Sequence, residues 1–212
     1  MTSAVPCEFS VLFSDSKSVG NYVRYPNYKF CNEFLEWGAA KNVTTSLHLC
    51  GSAIERYLKQ DKDVIDLCAK ASRIQLNFNI QNFSGYEKLA NNLIDVMKTH
   101  NHNIILQQNK TKANFNLSFL KTLPSSLYAN VNLLYDGSGG FGREITQVQS
   151  PSAYHFTGYA GGIKPENVRK VVNLIENINS AGKEYYIDME SGVRENNIFS
   201  VGKCQQIIDN LK

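Results

Sequence analysis

The sequence predicts an α/β fold built from repeated strand-helix units. Short runs rich in β-branched and aromatic residues alternate with longer stretches of helical periodicity. Successive strands fall about 25 to 35 residues apart, the spacing of βα units around a parallel sheet. No linker, charge block or shift in composition divides the 212 residues, so a single domain spanning 1–212 is expected. Such a pattern suits either a closed (β/α)8 barrel or an open doubly wound sheet, and the length lies near the lower end for a barrel.

Seven strands are predicted: Glu8–Ser14, Thr45–Cys50, Arg73–Phe78, Asn103–Gln108, Val131–Tyr135, Tyr154–Tyr159 and Glu184–Met189. Ile54, Tyr57, Leu58, Ile65 and Cys68 mark one helix, and Leu89, Leu93, Ile94 and Met97 a second. The clearest helical pattern is Pro165–Asn179, where Val168, Val171, Val172, Ile175 and Ile178 recur at helical spacing and proline suits the first turn. Val201, Cys204, Ile207, Ile208 and Leu211 give the seam of a last helix, which assigns Cys204 to the core. After the fifth strand, the short run Ile145–Ala153 leaves little room for a helix, so that unit is a loop or a degenerate one.

Apolar residues make up 42% and charged residues 19%, with a formal net charge of +3, so a sizeable core can form and disorder is excluded. Lysines and arginines are scattered, which argues against a nucleic-acid partner. No apolar run reaches membrane-spanning length and the N-terminus lacks the features of a signal peptide, so a cytoplasmic protein with no membrane partner is expected. The five cysteines form no C-x-x-C pair and lie at no zinc-ligand spacing, so neither a disulfide framework nor a metal site is predicted.

Ligands of parallel α/β folds bind at the C-terminal ends of the strands. There the chain places His48 and Cys50, Gln75 and Asn77, Gln107 and Asn109, Asp136, and then Asp188 and Glu190. Asp136-Gly137-Ser138-Gly139-Gly140-Phe141-Gly142 follows the fifth strand; it satisfies G-x-G-x-x-G, but no long amphipathic helix follows, so a dinucleotide site is not expected. A carboxylate beside a glycine-rich loop suits a reacting centre. The sixth and seventh strands end in Gly161-Gly162 and Ser191-Gly192, whose amides near helix starts favour an anion such as phosphate.

Over residues 131–212 these motifs resemble the phosphoribosylanthranilate isomerase family, whose fold is the (β/α)8 TIM barrel. Leu133-Leu134-Tyr135-Asp136 with Gly139-Gly140-Phe141-Gly142 resembles the family's L-L-D…G-G-x-G. Ala160-Gly161-Gly162-Ile163-Lys164-Pro165-Glu166-Asn167-Val168 is similar to A-G-G-L-x-P-E-N-V, and Ile187 to Val193 resembles D-x-S-S-G-V-E. Upstream, Ile74-Gln75-Leu76-Asn77 resembles V-Q-L-H, and residues Val11 to Tyr25 resemble the second strand and the loop of a substrate-binding arginine, which falls on Arg24.

The resemblance implies a TIM-barrel-like chain with an incomplete or irregular first unit. It implies an aldose-to-ketose (Amadori) isomerisation of a phosphorylated ribosyl amine or a related sugar phosphate, as in tryptophan biosynthesis, with no cofactor or metal. Asp136 takes the place of the general acid. Gly161, Gly162, Ser191 and Gly192 fall at the phosphate, and Arg24, Gln75 and Asp188 at the rest of the substrate. The family's base, a cysteine in K-x-C-G on the first strand, has no counterpart before Val11. Cys50 in His48-Leu49-Cys50-Gly51 is the candidate base, with a small buried residue as its alternative reading. Asn77 and Arg194 replace the family's histidine and glutamate.

Two further readings stand beside this one: an inactive barrel that binds a phosphorylated ligand or a protein partner, and a lyase or epimerase in which Asp188 or Glu190 is the base. The partner expected in either enzymatic reading is a small phosphorylated substrate, and a homo-oligomer is compatible with the sequence.

Overall fold

The computed structural model describes residues 5–15, 24–78, 85–109, 113–138 and 142–212. Seven strands follow one another in chain order. That order has no switch point, so the chain has a TIM-barrel-like α/β fold rather than a doubly wound one, with seven strands among the described residues where a complete barrel has eight. The residues group into two compact units, one of residues 7–107 and 111–132, the other chiefly of residues 133–212.

In the first unit, β1 (Phe9–Phe13), β2 (Thr45–Cys50), β3 (Arg73–Asn77) and β4 (Ile104–Gln108) pair in parallel. Side chains alternate across a strand, and the register therefore sorts them into two faces. One carries Val11, Phe13, Leu47, Leu49, Ile74, Leu76, Ile104 and Leu106, all buried. Helix α1 (Tyr28–Lys41) packs on that side so closely that a Cβ on Gly38 would lie 2.4 Å from the Thr45 side chain. The opposite face is polar at the strand ends: His48, Cys50, Gln75 and Asn77.

Helix α1 begins where Asn27 accepts from the Phe30 amide at 2.9 Å and ends at Asn42 in the left-handed region. The single helix expected through Ile54 and Cys68 is instead two, α2 (Ser52–Leu58) and α3 (Lys62–Cys68). Gln60 at φ 56° breaks the first, and Asp61 caps the second by accepting from the Asp63 amide. Arg56 ties the corner, pairing with Asp15 at 2.9 Å and Asp61 at 2.8 Å. Helices α4 (Tyr86–His100) and α5 (Ala113–Thr122) complete this unit.

The second unit holds β5 (Val131–Asp136), β6 (Thr157–Ala160) and β7 (Tyr185–Asp188), again parallel, with helices α6 (Val168–Ile178) and α7 (Val201–Leu211). Strand β6 starts three residues later than expected. The Ser152 hydroxyl accepts from the amides of Tyr154 and His155, and this side-chain turn holds them out of the ladder. No helix lies between β5 and β6 among the described residues.

Tyr159, Ile163, Val168, Val171, Ile175, Val193 and Ile207 form the core, joined by Ile145 from the helix-free connection. Helix α6 buries the predicted stripe, but α7 buries only Ile207 of its seam. Cys204 is half-buried, and Val201, in the first turn beyond the Ser200 cap, is 73% exposed. Before α7, Arg194–Glu195 and Ile198–Phe199 form a small hairpin, β8 and β9, turned by Asn196 and Asn197 at positive φ. No helix among the described residues is long and apolar enough to cross a membrane.

Candidate functional site

The register of the second unit decides which strand-end groups share a face. Leu133, Thr157 and Tyr185 lie side by side, as do Tyr135, Tyr159 and Ile187, and the Tyr159, Tyr185 and Ile187 side chains meet the helical core. The other face therefore carries Leu134, Gly158 and Tyr186 in one layer and Asp136, Ala160 and Asp188 in the layer at the C-terminal ends. The lower layer is filled by one ring. Tyr186 lies flat over Gly158, where a Cβ would come within 2.2 Å of it, and its hydroxyl donates to the Leu133 carbonyl at 3.2 Å.

Asp136 is buried, and its Oδ1 accepts from the Ser138 amide at 3.0 Å and the Ser138 hydroxyl at 2.7 Å. The same hydroxyl accepts from the Gly142 amide at 3.1 Å, so Ser138 couples the carboxylate to the loop beyond. Gly139, Gly140 and Phe141 of the predicted motif lie outside the described residues.

Gly161 and Gly162 follow Ala160 at φ 130° and 58°, backbone that side chains resist. A Cβ on Gly162 would sit 2.7 Å from the backbone of Arg143 and Glu144, so space and conformation both demand glycine. Asn167 locks the turn by donating to the Gly162 carbonyl at 2.9 Å and accepting from the Lys164 amide at 2.8 Å. After β7, a Cβ on Gly192 would fall 1.8 Å from the Ile163 carbonyl oxygen. The loops following β5, β6 and β7 thus meet backbone to backbone.

At their meeting lies a cavity of about 260 Å³ lined by Gly142, Gly162, Ser191 and Gly192, with Glu144, Lys164, Glu166 and Lys203 around it. Three of the four predicted phosphate residues line it. The fourth, Gly161, adjoins Gly162, and Asp136 and Asp188 end the strands that lead into these loops. The Lys203 ammonium donates to the Arg194 carbonyl at 2.7 Å, leaving further N–H donors on the same nitrogen. Lys170 engages Glu144 at 2.7 Å and holds its carboxyl below the usual range, partly cancelling that charge.

Lys164, Glu166 and Lys203 were not singled out from the sequence. The first two stand inside the motif quoted for the sixth strand; Lys203 comes from α7 and has no local signal. Asn167, also within that motif, is a positioning residue for the loop.

The other predicted residues belong to the first unit. Cys50 is buried at the end of β2 opposite Asn77, and Gln75 is buried opposite His48. Arg24 is exposed, its guanidinium 5.5 Å from the centre of the Tyr25 ring. Among the described residues, no three His, Cys, Asp or Glu side chains gather where they could hold a metal ion.

No protein-family model matches the chain, and no curated protein matches it. Similar solved structures include a D-psicose 3-epimerase from Clostridium cellulolyticum H10 with D-tagatose, 11% identical, with a TM-score of 0.46, over 96% of this chain and 84% of that one. A D-psicose 3-epimerase in the presence of D-fructose is 9% identical with the same coverage and TM-score. The resemblance to phosphoribosylanthranilate isomerases rests on the sequence motifs.

Proposed function

We propose that the chain is an isomerase of small phosphorylated sugars or ribosyl amines, acting as phosphoribosylanthranilate isomerases do. The observation that carries this reading is the cavity at the loops after β5, β6 and β7, lined by Gly142, Gly162, Ser191 and Gly192 together with Lys164, Lys203, Glu144 and Glu166. Lysines beside glycine-rich turns are the residue types that suit a phosphate monoester. Lys170 partly offsets the charge of Glu144.

With the phosphate held there, the sugar extends toward the ends of β5 and β7. Asp136 in its acid form gives a proton to the ring oxygen as the C1–O bond breaks and the nitrogen lone pair forms the C=N bond. Loss of the C2 proton and reprotonation at C1 then complete an isomerisation without redox change. Ser138 fixes the orientation of the acid.

Anthranilate fluorescence of phosphoribosylanthranilate, lost on turnover, tests the reading. Wild-type protein is expected to consume it, and Asp136→Asn to lower kcat by about 10²- to 10⁴-fold, the usual contribution of a general acid. Phosphate binding without turnover would favour a ligand-binding barrel that has lost catalysis, and absence of both would reject the assignment.

A further inference from the structure

The family's cysteine motif has no counterpart in the sequence, which leaves two strand-end candidates for the base, Cys50 on β2 and Asp188 on β7. Resting on the isomerase reading, we infer that Asp188 is the general base and works as a pair with Asp136 across strand β6. The register sets Asp136 opposite Ala160 and Ala160 opposite Asp188, so the two carboxylates share one face and one layer, separated by a single strand. Two strand spacings put their Cα atoms about 10 Å apart. The residue between them is only a methyl group, and the Tyr186 ring fills the layer below over Gly158. A small substrate seated between the carboxylates thus has a closed floor beneath it.

The environments of the pair differ. Asp136 is buried and engaged by Ser138, whereas Asp188 is half-buried at the end of β7. Strand β7 also leads directly into Ser191 and Gly192 at the cavity, so one loop connects the proposed base to the proposed phosphate grip. The step balances internally. Asp136 donates its proton to the ring oxygen, and the opened sugar carries C1=N. Asp188 then removes the C2 proton, the C–H electrons form C1=C2, and the nitrogen takes up the pair released from C1=N. Return of a proton to C1 as the C2 hydroxyl becomes a carbonyl gives the ketose, with both carboxyl groups restored by proton exchange.

The test compares wild type with Asp188→Asn, Asp188→Ala and Cys50→Ser, using phosphoribosylanthranilate for turnover and inorganic phosphate for binding. Asp188→Asn is expected to lose about 10²- to 10⁴-fold in kcat while phosphate affinity stays within about twofold, since the grip lies on other groups. The acidic limb of its kcat profile should disappear, and formate should restore part of the turnover of Asp188→Ala. If Asp188→Asn keeps a tenth or more of wild-type kcat, or Cys50→Ser is the variant that loses the acidic limb, the pair is wrong and the isomerase reading survives. A wild type that binds phosphate but never turns over overturns both, and unchanged phosphate affinity in Asp188→Asn separates lost chemistry from lost folding.

Discussion

His102 shows how one side chain ties acid stability to packing. It is buried, stacks on Tyr57 and His100, and lies 3.1 Å from the Tyr57 hydroxyl through Nδ1. Burial, with His100 adding to it, pushes its pKa down to about 4, whereas an unfolded histidine titrates near 6.5. The unfolded chain therefore binds the extra proton between these values. Stability that is whole above pH 6.5 should fall as the pH drops toward 4, by up to about 3 kcal/mol for this group. Replacing the imidazole by a non-titrating side chain, His102→Gln, should flatten that part of a urea-denaturation profile taken against pH; an unchanged slope would remove His102 as its source.

Among the elements, the connections after β6 and β7 matter most, because their backbones touch. Gly192→Ala sets a methyl against the Ile163 carbonyl, with no flexible side chain to yield. It should cost roughly 1–3 kcal/mol and abolish phosphate binding by forcing the loops apart, readable by calorimetry; full binding would show that the contact is dispensable. These loops were legible in the sequence because left-handed and crowded backbone selects glycine, and glycine is visible in a sequence. Helix α6 was legible too, since Val168, Val171 and Ile175 are all fully buried. Helix α1 was not: its buried positions are Cys31, Leu35 and Gly38, while Phe30 and Trp37 are exposed, so hydrophobicity does not follow its inner face. Lys203 was invisible for another reason, since only the folding of α7 brings it to the cavity.

For the whole molecule, the seven strands of the main sheet were readable because each carries its own β-rich run, whereas that pattern suits barrel and doubly wound orders alike, and neither the β8–β9 hairpin nor the division into two units has a local signal. Both the cavity and the paired aspartates fall within residues 133–212. Saturating phosphate, at about 100 times its dissociation constant, should therefore raise stability by about 2.7 kcal/mol. In hydrogen exchange the added protection should concentrate in β6, α6 and β7; equal slowing across residues 7–132 would contradict a grip built from the second unit alone.

The link from β5 to β6 has a different consequence. Where the other strands are followed by helices, this stretch is tethered by Ile145 in the core, by the Tyr159 hydroxyl donating to the Gln149 carbonyl at 2.7 Å and by the turn at Ser152. Most of residues 142–156 are exposed and lack the internal ladder that shields a helix from cleavage. A trace of protease should nick the native chain there first, and truncating Ile145 to alanine should quicken that cut.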